Sequence, residues 1–380
     1  MYQSTAMPRG LWRYWLRIHL LLGLGLGVIF ALFGLTGSLL VFSDEVDAAL
    51  NPELLITRED GDPVGPATVL AAVEAATAED FQVAWLSAPR IPDGTWQAFG
   101  GPADDRFGWM TAVDPITGEV LGQRELGTGV VAFVYNLHTH FQLGAIGRDL
   151  AGMIGILMAL SLLSGFAAWW SSRLQPPRSH ARPRAHASAR AWHRTLGIIA
   201  LPLLLVTVIT GIFLRLPALT NPAIEWFSPL TDPGAAVTAD ADSDPGDRLS
   251  LETALDRARQ VFPDAPLTGI GLPRSGAPAY QFAFREAEHP RARVGRSYAW
   301  VAPGDGAILA TREWAEMTAA DRFRDWLYPL HSGSAFASAG RWVVFILGLA
   351  PTLLLVTGLS LWWSRRHRGN GRSSSQPRSD

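Results

Sequence analysis

The sequence predicts a membrane α-helical fold: a four-helix transmembrane bundle built by tandem duplication, each half running span, outer α+β domain, span. Three observations predict it. Four long uncharged stretches punctuate the chain, its charges segregate between them, and one residue pattern occurs twice. The 380 residues are 48% hydrophobic and only 17% charged, against about 25% charged in ordinary soluble chains.

The uncharged stretches are residues 18–43, 150–172, 195–214 and 342–364. Each meets the requirement of about 20 apolar residues for crossing a hydrocarbon core of about 30 Å. The first is too long for a signal-peptide core and has no convincing cleavage site, so it reads as a retained anchor. Arginine sets the orientation. Residues 1–17 carry Arg9, Arg13 and Arg17 and no acid; segment 173–194 carries six arginines and no acid; the tail begins Arg365-Arg366-His367-Arg368. These segments are expected in the cytoplasm by the positive-inside rule. All 34 acidic residues except Asp149 and Asp380 fall in 43–137 and 215–330, which are expected outside. Trp12, Tyr14 and Trp15, Trp169-Trp170 and Trp362-Trp363 sit where interfacial aromatic belts form.

The first half is thus a cytoplasmic N-terminus (1–17), span one (18–43), an outer domain (44–134) and span two with an outer lead-in (135–172). An arginine-rich cytoplasmic loop (173–192) joins it to span three (193–216), a second outer domain (217–329) and span four with its lead-in (330–364). The cytoplasmic tail (365–380) is expected to be disordered from Gly369 onward. From His138 to Trp170 runs 33 residues, more than one perpendicular crossing uses at about 1.5 Å per residue. A tilt, a break near Gly144 or Gly147, or a projecting turn would absorb the excess.

The repeat is specific. His19, Gly23 and Thr36-Gly37 recur at the same offsets as His193, Gly197 and Thr210-Gly211. Leu137-His138, Gly147-Arg148, Gly165 and Trp169-Trp170 recur as Leu330-His331, Gly340-Arg341, Gly358 and Trp362-Trp363. Outside the spans, 113–125 aligns with 301–313, each with a glycine turn (Gly118, Gly306) between apolar residues, which reads as a β-hairpin. Ala-rich helical stretches precede them near 67–78 and 250–261, and 231–248 reads as a flexible linker.

Composition excludes several chemistries. With no cysteine, disulfides, thiolate zinc, iron–sulfur clusters, Cys nucleophiles and covalent c-type haem are out. All 32 basic residues are arginine, so Schiff-base and P-loop lysines are out too.

Four of the nine histidines repeat: His19 with His193, and His138 with His331. Spans one and three start inside and spans two and four start outside, so the pairs belong to opposite membrane faces. One histidine at a membrane edge reads as interfacial; four in depth-matched pairs point to the axial nitrogens of haem irons between facing helices. Gly23 and Gly27 lie at +4 and +8 from His19, on one helix face, and Gly197 repeats the first; glycine there admits a flat macrocycle. Arg148, Arg194 and Arg341 are candidates for haem propionates or for interfacial anchoring. His140, whose repeat partner is Gly333, is a candidate auxiliary or alternative ligand. His180, His186, His289 and His367 are expected on the solvated surface.

The segment Trp192-His193-Arg194-Thr195-Leu196-Gly197, the Thr-Gly pairs and the Gly-Arg…Trp-Trp pattern resemble the PepSY-associated transmembrane family of bacterial iron-regulated inner-membrane proteins. Asp114-Pro115-Ile116-Thr117-Gly118-Glu119-Val120-Leu121 looks like the end of a PepSY module, so the outer segments are expected as two PepSY-like α+β periplasmic domains. Within the family the chain looks most like the ferrisiderophore reductases of ferrioxamine type. That resemblance implies two bis-His haem b groups, on His19, His193, His138 and His331, passing electrons outward to a ferric siderophore in the periplasm. The second module has Ala302 and Gly304 where the first has Asp114 and Ile116, which implies a lost binding role. No flavin or nicotinamide fingerprint is present, so the donor is a quinol or a cytoplasmic flavin reductase. The alternative is a PepSY-type binding or peptidase-inhibitory module that the helices merely anchor. The lipid bilayer is the other expected partner; nothing points to nucleic acid.

Overall fold

A computed structural model describes residues 9–102, 107–173, 184–237, 248–274, 277–290 and 296–370. The tail beyond 370, the linker residues 238–247 and the loop 174–183 with His180 lie outside the described residues.

The first span is two helices, α1 (Arg9–Gly25) and α2 (Gly27–Leu40), bent by 63° at Leu26. Glycine on both sides of Leu26 removes helix propensity where the chain turns. Short helices α3 (Ser43–Leu50) and α4 (Pro52–Leu55) lead to α5 (Pro66–Ala76) and strands β1 (Gln82–Ser87), β2 (Trp96–Gly101), β3 (Trp109–Val113) and β4 (Val120–Glu125). The lead-in to the second span is a separate helix, α6 (Gly129–His140), which a left-handed turn divides from α7 (Gly144–Arg173). Phe141, Gln142 and Gly144 all have positive φ there, so a break absorbs the excess length of the 33-residue run from His138 to Trp170. The second half runs α8 (Arg184–Arg215), α9 (Pro217–Glu225), α10 (Leu251–Val261), β5 (Leu267–Gly271), β6 (Tyr280–Phe284), β7 (Ser297–Val301), β8 (Ile308–Arg312) and α11 (Ala319–Ser332). It closes with α12 (Ala337–Leu347) and α13 (Ala350–Asn370). The glycine of each Gly-Arg repeat serves the turn: a Cβ on Gly147 would fall 1.6 Å from the His140 carbonyl oxygen, and one on Gly340 2.2 Å from that of Gly333.

Three helical segments (Gly144–Arg173, Ser188–Arg215 and Ser334–His367) are long and apolar enough to cross a membrane, and the bent α1–α2 pair makes a fourth if it is one span. This is a membrane protein. α7 packs on α1 and α8, α8 on α13 and α11, and α13 on α2, while α6 lies against α2 and α7. Backbones touch where Gly34 of α2 meets Gly348 between α12 and α13: a Cβ on Gly34 would sit 2.2 Å from the Gly348 oxygen.

The repeat predicts two outer domains; their strands instead form one continuous antiparallel sheet in the order β4-β3-β2-β1-β5-β6-β7-β8. The halves join through β1 and β5, with Trp85 opposite Gly271 and Leu86 opposite Ile270. Each four-stranded half alone would have two open hydrogen-bonding edges, and the β1–β5 pairing removes one from each, leaving β4 and β8 at the ends of the sheet. Helices α5 and α10 share one core with the sheet, in which Val69, Val73, Leu86, Leu255, Ile270, Phe282 and Phe284 are buried.

Both hairpins form where expected. In the first, the Asp114 carboxylate accepts from the N–H groups of Ile116 (2.8 Å) and Thr117 (3.0 Å) and from Thr57 Oγ1 (2.5 Å). Burial alone would raise this carboxyl's pKa, but those hydrogen bonds outweigh it and hold it below the usual carboxylate value. The second turn, with Ala302 in that position, is held by Asp305 Oδ1 accepting from Ala307 N–H (3.0 Å). The Asp114/Ala302 difference therefore exchanges one turn brace for another. The start of the expected linker is tied down as well: the Thr231 backbone N–H and Oγ1 both donate to Asp321.

Candidate functional site

The four repeated histidines meet in twos. His19 of α1 and His193 of α8 have ring centroids 6.2 Å apart, and His138 of α6 and His331 of α11 are 6.3 Å apart. Two imidazoles sharing one metal through bonds of about 2.0 Å would place their ring centroids about 6 Å apart.

Each ring is held through Nδ1 by a neighbouring helix. His19 Nδ1 donates to the Ser161 carbonyl (3.0 Å), and His331 Nδ1 to the Thr207 carbonyl (2.8 Å). His138 Nδ1 lies 2.9 Å from Thr36 Oγ1, and His193 Nδ1 2.9 Å from Thr357 Oγ1. Both hydroxyls already donate back to their own helix, to Leu32 and Leu353, so they accept from the rings. All four imidazoles are therefore Nδ1–H tautomers whose Nε2 keeps its lone pair, the arrangement in which histidine ligates a metal.

The repeated glycines are the other half of the cradle. A Cβ on Gly165 would lie 2.8 Å from His19 Cε1, and one on Gly37 3.1 Å from His138 Cε1. Gly211 stands in the same relation to His331 (3.0 Å) and Gly358 to His193 (3.4 Å). Every cradle is a hydroxyl residue followed by glycine: Thr36-Gly37, Ser164-Gly165, Thr210-Gly211 and Thr357-Gly358. On α8, His193 precedes the residues that hold His331, Thr207 and Gly211, by 14 to 18 positions, a rise of roughly 21–27 Å. The interior between is apolar, with buried clusters around Phe30, Ile154, Met158 and Val208, and around Ala200, Leu204, Leu347 and Ala350.

Other sequence candidates are placed differently. His140 hydrogen-bonds Thr139 and lies beside Tyr135, outside the His138–His331 pair. Gly23 faces open space, but the 63° bend at Leu26 takes Gly27 off its helix face, and Gly27 packs against Leu355. Gly197 faces Leu354 at ordinary contact distance. Arg148 is exposed beside Asp149 (3.6 Å), and Arg194 lines a 500 Å³ hollow with Trp169, Arg173 and Arg190.

Arg341 is no propionate partner. Its buried guanidinium is spent on the Val41 carbonyl (2.7 and 3.0 Å) and, bidentately, on Glu45 (2.7 and 2.8 Å), and it stacks on Phe42. Arg341→Ala is expected to cost about 2–3 kcal/mol, the loss of charged hydrogen bonds with a carbonyl left bare. Thermal unfolding in detergent measures this. His289 is likewise no surface residue: it is buried against Asp325 of α11 and Trp314, because residues 285–290 after β6 bring it there.

Sequence reasoning missed Arg215. It ends α8 within electrostatic reach of His138, His140 and His331, and its buried Nε has no hydrogen-bond partner among the described residues. The available signal was an arginine at the span end that the positive-inside rule expects outside.

The profile of the PepSY-associated TM region matches residues 16–365. The chain belongs to that family. The matched stretch of this PepSY-associated TM protein includes all four paired histidines and their hydroxyl–glycine cradles. No curated protein matches the sequence.

Proposed function

We propose that the chain is a two-haem, b-type electron conduit of the bacterial inner membrane that reduces ferric siderophores on the periplasmic side. In this reading the four spans are a tandem duplication, both termini are cytoplasmic and the eight-stranded sheet is periplasmic. The reading rests on one observation: four histidines in two pairs, every Nδ1–H engaged and every Nε2 lone pair kept. The residues fit the group on two further counts. The ring spacing suits a shared metal, and Arg215 brings to the outer pair a buried N–H with no partner among the described residues, where a carboxylate would satisfy it.

Haem held by His19 with His193 and by His138 with His331 would supply a one-electron Fe(III)/Fe(II) couple. The chain's own residues do the rest. The hydroxyl–glycine cradles fix ring tautomer and orientation, and the apolar interior between the pairs keeps water out. Reduction frees the metal because hard oxygen donors favour Fe(III) over the softer Fe(II). The electrons would come from a quinol or a cytoplasmic flavin reductase. A purely anchoring role for the helices, with the sheet as a regulatory module, leaves all four cradles without a purpose.

The test is the absorption spectrum of the detergent-purified protein, oxidised and dithionite-reduced. The expected result is a low-spin b-type spectrum at about two haems per chain, reoxidised on adding a ferric siderophore. A colourless protein that cannot be reconstituted with haem overturns the reading.

A further inference from the structure

Helix α8 carries Thr207, Gly211 and Arg215 at four-residue spacing, on one face. The first two hold His331: Thr207 through its carbonyl, Gly211 by making room for the ring. Arg215 continues that face about 6 Å further along the axis, at the last position of the helix. Its guanidinium acts electrostatically on both rings of the pair, His138 and His331.

The two repeated arginines each face a carboxylate, Arg148 that of Asp149 at 3.6 Å and Arg341 that of Glu45 at 2.7 Å. Arg215 differs. Its buried Nε meets no hydrogen-bond partner among the described residues, and Val41 stands at the equivalent position of the first half. A positive charge beside an iron centre favours the reduced form, because oxidation adds a further positive charge there. Burial keeps such an interaction from being screened as it would be at an exposed site.

We propose that Arg215 raises the reduction potential of the His138–His331 site and leaves that of the His19–His193 site alone. The proposal rests on the two-haem reading and adds a direction to it: a raised potential makes the His138–His331 site the better electron acceptor, which favours flow toward the periplasm. Arg215 follows His193 by 22 residues, roughly 33 Å along α8, so its charge separates the two sites.

The experiment is a potentiometric titration of the detergent-purified full chain, followed in the haem absorption bands, in two one-haem backgrounds. In His19→Ala, which keeps the His138–His331 site, adding Arg215→Gln is expected to lower the midpoint by at least a tenfold change in the reduction equilibrium, about 59 mV for one electron. Arg215→Lys keeps the charge and should recover at least half of that shift. In His138→Ala, which keeps the His19–His193 site, Arg215→Gln should change the equilibrium by less than about twofold, since distance and screening remove the interaction. An arginine that merely suits the negative end of the helix dipole would lower the Tm on substitution and move neither midpoint, and that result overturns the proposal. Equal shifts at both sites overturn it too. So does loss of the His138–His331 haem from both Arg215→Gln and Arg215→Met, which would make the side chain an anchor. A colourless wild-type protein removes the two-haem reading and this proposal with it; a two-haem protein with unmoved midpoints removes only the role of Arg215.

Discussion

His138→Ala is expected to yield a folded protein that carries one haem instead of two. The His138 ring is held by Thr36 and Gly37 on α2 and faces His331, so its removal leaves His331 as a lone ligand. The His19–His193 pair shares none of those contacts. His19 is held by Ser161 and Gly165 and His193 by Thr357 and Gly358, roughly 21–27 Å away along α8. His331→Ala should therefore reproduce the His138→Ala spectrum, and combining the two should remove nothing more. His19→Ala and His193→Ala should each remove the other haem. His140→Ala should leave both, since that ring hydrogen-bonds Thr139 instead. Haem quantified per chain, with the reduced-minus-oxidised spectrum, reads out every case. A single change that strips both haems from a folded protein would show the pairs are not independent.

The largest effect on folding is expected at Asp325. This carboxylate is fully buried on α11 and meets His289 Nε2 at 3.2 Å, Arg312 at 3.0 Å and Arg296 at 3.3 Å. Burial alone would raise its pKa, but the His289 hydrogen bond and the two guanidinium charges more than offset that and bring it down from 3.8 to about 2. A carboxyl depressed on folding stabilises fully above its unfolded pKa. That contribution, about 2 kcal/mol for this shift, is lost as pH falls through the folded value near 2. Asp325→Ala acts at neutral pH and costs more, about 3–5 kcal/mol, because it leaves the buried Arg312 without its counter-charge. Denaturant unfolding at pH 7 and between pH 5 and pH 2 measures both effects. Asp256→Ala, on an exposed helix face, is the comparison. A loss at Asp325 no greater than at Asp256 would mean the cluster does not hold α11 to the sheet. The matter reaches the site because α11 carries both Asp325 and His331.

What was legible from the chain alone was whatever depends on neighbours in sequence. Apolar length and arginine placement mark the spans, period and glycine turns mark the hairpins, and matched offsets single out the four histidines from nine. The same offsets flagged Thr36-Gly37, Thr210-Gly211, Gly165 and Gly358, yet not which ring each one holds, because every such contact joins residues more than a hundred positions apart.

Tertiary structure decided the rest, and each correction has the same origin. Gly27 turned from a macrocycle face to a packing contact because of the bend at Leu26. Arg341 proved to be a brace for Val41 and Glu45, and His289 a buried partner of Asp325. The two outer segments became one sheet because β1 and β5 each needed an edge to pair with. Hydropathy and repeat are local averages that the sequence carries whole. The partner of a buried polar group is settled only when distant segments pack, since it must find a hydrogen bond wherever the fold leaves one within reach.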